Sequence, residues 1–322
     1  MKLSKFAKYA WFVLAFNLGV ILWGAYVRAT GSGAGCGSHW PLCNGEVIPR
    51  SQQIETLIEF THRTTSGIAF LLVLGMLIWA WRIYPIKHRI RWGALVSMVL
   101  MITEALVGAG LVLFELVAEN TSTARAISIS IHLVNTFLLL SLITLTAWWA
   151  SGGEPVRLRI GEKNLWLLLI GLLGVILLGM SGALTALGDT LFPASNLEAG
   201  LRQDFFPAAH FLIRLRILHP TIAVIVSLYL ILIINWITQR TDLDRNKVIG
   251  RLTMLIIMLQ LMAGLTNIIL LAPVWLQLVH LFLADLIWIG MVLFSAATLI
   301  VDDAISEAED NQDIEIALSS TS

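Results

Sequence analysis

Eight stretches of apolar residues, each long enough to cross a lipid bilayer as a helix, divide this chain. A hydrocarbon core of roughly 30 Å requires about 20 apolar residues in an α-helix. The stretches lie near residues 8–28, 57–81, 92–114, 126–149, 164–186, 209–237, 249–271 and 275–300. Charged residues make up only 13% of the chain, against about 25% in soluble domains. We therefore predict an all-α integral membrane protein with eight transmembrane segments.

Basic residues indicate which side of the bundle faces the cytoplasm, because Lys and Arg are enriched in cytoplasmic loops. Fourteen of the 21 fall on one side. They are Lys2, Lys5, Lys8, Arg82, Lys87, Arg89, Arg91, Arg157, Arg159, Lys163, Arg240, Arg245, Lys247 and Arg251. This side is predicted to be cytoplasmic and to carry both termini. Residues 301–322 contain seven Asp or Glu and no Lys or Arg, which predicts a disordered acidic cytoplasmic tail.

The sequence also predicts an internal repeat. At a shift of 155 residues, Gly19-Val20-Ile21-Leu22 aligns with Gly174-Val175-Ile176-Leu177, and Gly24 aligns with Gly179. Further matches pair His62 with His219, Gly108 with Gly264 and His132 with His280. Four helices in each repeat give both repeats the same orientation. We predict two parallel four-helix bundles, residues 1–156 and 157–300.

Four of the seven histidines occupy matched positions in the two repeats. His62, His132, His219 and His280 lie one each in segments two, four, six and eight, within about two turns of the outer end. A single membrane histidine is about as often a packing residue as a ligand, but four in register favour ligation. A zinc ion with two histidines would be under-coordinated. A porphyrin leaves two axial positions on its iron, so the pairs suit heme.

Charged residues near these histidines differ between the repeats. Glu59 stands three residues before His62, whereas Arg216 stands three residues before His219. A carboxylate beside a heme can relay protons or stabilise positive charge on a reacting carbon. The alternative is a solvated carboxylate at a helix start. Arg216 suits a heme propionate, and Arg63 is either another propionate partner or an interfacial anchor.

Besides Glu59, two acids lie inside predicted transmembrane segments. Glu104, whose repeat mate is Gln260, is either part of a proton route or a protonated packing acid. Asp285 has no acidic counterpart in segment four and is expected to pack or pair locally. Cys36 and Cys43 lie in the first outer loop, where an oxidising compartment favours a structural disulfide over a redox-active pair. The equivalent loop of the second half lacks cysteine, which suggests a lid over a reactive site in the first half.

These residues resemble the heme A synthase family, which converts heme O to heme A for terminal oxidases. The matching stretches are Arg28-Ala29-Thr30-Gly31-Ser32-Gly33 through Cys36, Trp40-Pro41 with Cys43, Glu59-Phe60-Thr61-His62-Arg63 and the three later helix histidines. The resemblance covers about residues 8–300 and indicates a bacterial-type member. It implies that His219 and His280 hold a resident heme b. It also implies that His62 and His132, with Glu59, hold heme O while its C8 methyl is oxidised twice to a formyl group.

The same resemblance implies partners and a location. We expect heme O synthase as the supplier of substrate, terminal oxidase assembly as the acceptor of product, and a homo-oligomer as a possible state. The cell membrane is the expected location, with lipid as a partner and the heme sites near the outer face. Basic and acidic residues are equal in number, 21 each, so the chain has no basic excess to neutralise phosphates and we expect no nucleic-acid partner.

Two rival functions fit parts of the sequence. A diheme cytochrome b-like quinol oxidoreductase explains the four histidines equally well, but it gives Glu59 and the cysteine loop no role. A transporter with a parallel repeat would contain broken helices near the membrane midplane. The two halves show no paired Gly or Pro interruptions strong enough to support such helices.

Overall fold

The structure is a computed structural model that describes residues 3–51, 53–155 and 163–299. Within these ranges the elements are α1 (Lys5–Ala29), a 3-10 turn (Ser32–Ala34), α2 (Ile54–Ile83), α3 (Arg89–Leu113), α4 (Thr123–Ala150), α5 (Lys163–Leu191), α6 (Leu197–Asp204), α7 (Phe211–Thr238), α8 (Asp244–Ile269) and α9 (Val274–Thr298). All helices except α6 are long and apolar enough to cross a membrane. The prediction of an all-helical chain with eight spans is confirmed.

The described ranges differ from the sequence prediction in two respects. The short helix α6 was not predicted, because half of its eight residues are polar and it lies in the connection between two spans. The expected acidic tail, residues 301–322, lies outside the described residues, as do three of the basic residues used for orientation, Lys2, Arg157 and Arg159.

Side-chain caps fix where several helices begin. Ser4 accepts a hydrogen bond from the backbone N–H of Ala7 at 3.0 Å, and Ser122 accepts one from Arg125 at 3.2 Å. Each cap satisfies one of the N–H groups that a helix start leaves without a partner. The first turns of α1 and α4 are therefore ordered by their own sequence as well as by packing.

The helices pack in two connected groups. In the first group, α1 contacts α2 and α4, and α3 contacts α2 and α4; in the second, α5 contacts α7 and α9, and α8 contacts the same two helices. The groups meet mainly through α4, which contacts both α5 and α9. At this junction the rings of Phe137 and Trp288 stack at 4.8 Å. The indole N–H of Trp288 donates to the Phe137 carbonyl at 2.6 Å, so the contact also has a fixed geometry.

Gly250 sets the closest approach of α8 to α7, and it provides a test of the packing. A Cβ at this position would lie 2.7 Å from Cγ2 of Thr238 and 2.9 Å from Cγ2 of Ile234. Both neighbours are β-branched and stiff at χ1. Gly250→Ala should therefore destabilise the protein by about 1–3 kcal/mol through overpacking, as measured by unfolding of the purified protein in detergent.

Gly19 is the matched control, because a Cβ there would meet no atom within 4 Å. Gly19→Ala should leave stability unchanged or raise it by up to about 1 kcal/mol through helix propensity. Equal stability of the Gly250→Ala variant and the parent would contradict the close approach of the two helices.

Candidate functional site

The first outer loop is folded onto the start of α2. Cys36 and Cys43 are joined by a disulfide, as the sequence predicted, and both are buried. The hydroxyl of Thr56 donates to the carbonyl of Gly35 at 2.7 Å. A Cβ on Gly35 would clash with the backbone of Glu55 and Thr56. The loop therefore rests directly on the helix, at a point where only glycine fits.

Glu59 is held by this loop. One carboxylate oxygen, Oε2, accepts the backbone N–H of Cys36 at 2.8 Å. The other, Oε1, accepts Nε of Arg63 at 3.1 Å and a terminal guanidinium nitrogen at 2.5 Å. Only 3% of the residue is exposed, so the alternative of a solvated helix-start carboxylate is wrong. The side chain is a buried, fully paired carboxylate one turn before His62.

Arg63 completes the same network. Its other terminal nitrogen donates to the carbonyls of His39 at 2.6 Å and Leu42 at 2.7 Å. Both carbonyls belong to the disulfide loop. The described contacts of Arg63 are thus with Glu59 and the loop, and they favour a structural role over the two that the sequence suggested.

Each of the four helix histidines lies beside a glycine of a neighbouring helix. An added Cβ would lie 2.9 Å from Cε1 of His62 at Gly24, 3.0 Å from Cε1 of His219 at Gly182, 3.1 Å from Cε1 of His280 at Gly264 and 3.9 Å from Cε1 of His132 at Gly108. In the first three cases any larger residue would displace the imidazole. The glycines therefore create the space that the histidines occupy.

This pattern corrects the repeat alignment in the first segment. The sequence paired Gly24 with Gly179, but the glycine beside His219 is Gly182. A Cβ on Gly179 would instead meet Phe137 of α4. The matching string at residues 19–22 misled the alignment by three residues, because short apolar strings recur by chance in membrane helices. A Gly on the partner helix of each histidine was the signal that sequence reasoning missed.

The rings of His219 and His280 face each other at a separation suited to a shared ion. Their centroids are 6.4 Å apart and their planes are nearly perpendicular, at 86°. A metal ion lies about 2 Å from a histidine nitrogen, so two imidazoles sharing one ion have centroids roughly 6 Å apart. Ser181 orients His219 through an Oγ···Nδ1 contact of 2.9 Å. This donor pair fits the two axial positions of a heme iron.

Glu104 lies against His132 and is not an isolated membrane charge. Its Oε1 is 3.4 Å from Nδ1 of His132, and its Oε2 accepts the side-chain amide of Asn135 at 2.6 Å. The hydroxyl of Thr136 also donates to Glu104. Gln260, the predicted repeat mate, contacts His280 at 3.3 Å. Both residues thus sit beside the histidine of the neighbouring helix, one as a carboxylate and one as an amide.

Arg216 pairs with acids that the sequence analysis did not identify. It contacts Asp189 at 3.0 Å and Asp204 at 2.8 Å, and it donates to Gln203 at 2.9 Å. These partners come from the end of α5 and from α6. The position expected to meet a propionate therefore holds an outer connection in place, as Arg63 does in the first half. The two acids that precede Arg216 in the sequence, Asp189 and Asp204, could have indicated these ion pairs.

Two further polar groups lie near the junction of the helix groups. Arg28, at the outer end of α1, donates to Thr190 at 3.3 Å and to Gln277 at 3.2 Å, and so joins α1 to α5 and α9. Asp285 is 1% exposed, and neither of its oxygens has a partner among the described residues. It packs in the interior, and the local pairing suggested as an alternative is not seen in this part of the chain.

The Glu59–Arg63 pair can be tested against an exposed pair in the same loop region. Arg63→Gln would leave the Glu59 carboxylate buried without its partner, which costs about 3–5 kcal/mol. Arg50 and Glu46 form the same i,i+4 pair at 3.7 Å but in water, so Arg50→Gln should change stability by no more than about 0.5 kcal/mol. Denaturant unfolding in detergent measures both, and equal small effects would refute a buried pair.

Comparisons with known proteins agree with this arrangement. The family COX15-CtaA, described as "Cytochrome oxidase assembly protein", matches residues 7–292. A heme A synthase of Shouchella clausii is 30% identical over 252 residues, covering 76% of this chain and 80% of the relative. A heme A synthase of Exiguobacterium sibiricum is 33% identical over 183 residues, 55% of this chain and 58% of the relative.

A longer relative is more similar in sequence. A Thermus thermophilus protein named protoheme IX farnesyltransferase is 52% identical over 265 residues, which are 82% of this chain but only 43% of the relative. The chain thus spans less than half the length of that protein. Since the family match extends over all eight spans and a heme A synthase is matched along most of its length, the chain belongs to the COX15-CtaA, or heme A synthase, family.

Proposed function

We propose that this protein oxidises the C8 methyl group of heme O to a formyl group and so produces heme A. The observation that carries the proposal is a difference between its two histidine pairs. Glu59 precedes His62 by one turn and Glu104 lies against His132, whereas the matching positions of the other pair hold Arg216 and Gln260. One pair has carboxylates suited to chemistry, and the other has none in these positions.

We also propose that the two helix groups are parallel repeats, residues 1–156 and 157–300. Their helix contacts follow the same order. The hydroxyl of Tyr9 on α1 donates to the Leu72 carbonyl on α2 at 2.9 Å. In the other group, Tyr229 on α7 donates to the Leu167 carbonyl on α5, also at 2.9 Å. Leu72 and Tyr229 are 157 residues apart, like His62 and His219, which supports a common register.

In the second half, His219 and His280 would hold a heme b. When bound, the heme supplies one-electron transfer chemistry. Ser181 contacts Nδ1 of His219, which orients this imidazole and leaves its Nε2 for the iron. Gly182 and Gly264 leave room for both rings. The ion pairs of Arg216 keep the outer connection in place above the site.

In the first half, His62 and His132 would hold the iron of the substrate, heme O. Removal of electrons from a methyl group conjugated with the porphyrin leaves positive character on its carbon. A fixed carboxylate stabilises such charge in a site that excludes water, and a carboxylate can also take a proton from an attacking nucleophile. Two successive oxidations, each adding the oxygen of one water and passing two electrons and two protons to an external electron acceptor, would give an alcohol and then a hydrated aldehyde, which loses water to form the formyl group.

The outer loop supports this chemistry by position. Its disulfide, the contact of Gly35 with α2 and the two hydrogen bonds from Arg63 to loop carbonyls keep it on the helix that carries His62. A loop held in this way would limit access of water and would fix the Glu59 carboxylate relative to the histidine. The opposite half uses Asp189 and Asp204 for the equivalent attachment.

The cellular location and the partners of the protein follow from the same proposed function. We propose the bacterial cell membrane, with both termini in the cytoplasm and the heme sites near the outer face. Heme O would come from a heme O synthase and heme A would pass to terminal oxidase assembly, with a homo-oligomer as a further expectation. The farnesyltransferase name of the Thermus relative supports a link with the supplier of heme O.

Expression together with a source of heme O, followed by mass spectrometry of extracted hemes, tests the function. We expect Glu59→Gln to lower the ratio of formyl heme to heme O by roughly two orders of magnitude, the usual scale for a lost general base. Glu46→Gln, in the exposed pair with Arg50, should leave the ratio unchanged. A wild-type ratio for Glu59→Gln at equal protein level would remove Glu59 from the active site.

Arg63→Gln distinguishes a role of the Glu59 carboxylate from a role of its ion pair, because the variant removes the arginine but keeps the charge of Glu59. It should give a higher ratio of formyl heme to heme O than Glu59→Gln at the same protein level.

The rival function is tested on the unaltered protein. Unchanged heme O together with two bound hemes b would support the electron-transfer alternative instead of the synthase.

The histidine pairs give a second test. His219→Ala or His280→Ala should abolish the low-spin, six-coordinate heme spectrum, since each removes an axial ligand. His62→Ala or His132→Ala should leave that spectrum largely intact while eliminating heme A. A low-spin spectrum that survives His219→Ala would refute the assignment. Loss of all heme in the first-half variants would show that the halves are not independent.

A further inference from the structure

A polar groove lies between α7 and α8, away from the histidines. It has a volume of about 430 Å³ and is lined by Asn235, Thr238, Gln239, Lys247, Arg251 and Met254. Five membrane-spanning helices separate the disulfide loop from the α7–α8 connection. The groove therefore opens at the membrane face opposite the loop.

The charge of the groove is positive. Lys247 and Arg251 are four residues apart, so they project from one face of α8. No carboxylate lines the groove, and no described residue forms an ion pair or a side-chain hydrogen bond with either cation. Nearby, Arg240 lies 4.2 Å and Lys163 4.9 Å from the ring centroid of Trp236. Asp242 and Asp244 lie between Arg240 and Lys247 in the sequence but do not line the groove, so the groove itself carries only positive side-chain charge.

The walls of the groove are fixed by packing. Gly250 brings α8 close to Thr238 and Ile234 of α7. Asn246, which is buried, donates its side-chain amide to the Ala297 carbonyl at 3.0 Å. The start of α8 is therefore attached to both α7 and the end of α9. Lys247 directly follows Asn246, and Arg251 directly follows Gly250. The packing of Asn246 and Gly250 therefore fixes the backbone positions of both cations.

An apolar surface continues from the groove along α8. Val248, Leu252 and Leu255 each directly follow a groove residue of α8, and each is more than half exposed. A molecule with a charged head in the groove and hydrocarbon chains could use both surfaces. Asn235 adds a hydrogen-bond donor, because its Oδ1 already accepts Gln239 at 3.3 Å and its amide nitrogen is the remaining group.

We propose that this groove binds an anionic phospholipid. Lys247 and Arg251 would pair with the headgroup phosphate, Asn235 would donate to it, and the acyl chains would lie along the exposed side of α8. Basic pockets between transmembrane helices recognise anionic headgroups in this way. The adjoining apolar surface favours a lipid over free phosphate, which has no chains to bury.

Native mass spectrometry of the purified full chain with phosphatidylglycerol or phosphatidylcholine tests the proposal. The unaltered protein should prefer phosphatidylglycerol. Each cation near an anionic headgroup is worth about 1 kcal/mol, so the double variant Lys247→Ala, Arg251→Ala should bind phosphatidylglycerol roughly 30-fold more weakly. The double variant Arg82→Ala, Lys87→Ala removes two exposed cations from the same face outside the groove and should bind normally.

Three controls make the result decisive. Lys247→Arg with Arg251→Lys keeps the charges and should restore binding, which excludes misfolding as the cause of a loss. Inorganic phosphate should not displace the lipid; displacement at matched concentration would identify a free-phosphate site and overturn the proposal. Deletion of residues 301–322 should not change lipid binding. A large gain in phosphatidylglycerol affinity on this deletion would identify the acidic tail as the occupant of the groove and overturn the proposal. Equal affinity of the unaltered protein for phosphatidylglycerol and phosphatidylcholine would overturn the proposal as well.

Discussion

Close contact between helices at glycine is the constraint on which the rest of this structure depends. In a membrane, helices gain no hydrophobic driving force from packing on one another, so small residues at the contact determine how near they come. Gly24, Gly182 and Gly264 each leave space that an imidazole fills within about 3 Å of the missing Cβ. The histidines are thus positioned from the neighbouring helix as well as from their own backbone.

Ion pairs at the outer face build on this frame. Arg63 and Arg216 each attach an outer connection to a histidine-bearing helix, but they use different positions and partners. In the first half the acid, Glu59, is on the same helix as the arginine. In the second, the acids lie outside the arginine's helix: Asp189 is at the end of α5 and Asp204 is in α6. The two helix groups therefore share the attachment of a connection by an arginine, but they differ in the charge three residues before the histidine.

Sequence reasoning found the features that follow from strong, local physical rules. Hydrocarbon thickness fixes the length of a span, so the eight spans were predicted, and with them the location of each of the four histidines in a different span. The partners of Arg216 and the glycine beside His219 were not, because they depend on which helix faces meet. The burial of Glu59 was missed for a related reason: its enclosure is produced by a loop that folds back over 23 residues of sequence.

The bond between Arg28 and Gln277 has a consequence for biogenesis. The two residues are 249 positions apart, and the second lies in the first turn of the last helix. During synthesis, the guanidinium on α1 can meet this partner only after α9 has been inserted. The contacts at this end of α1 therefore depend on α9, and a chain truncated before α9 would leave a cation at the junction without one of its two partners.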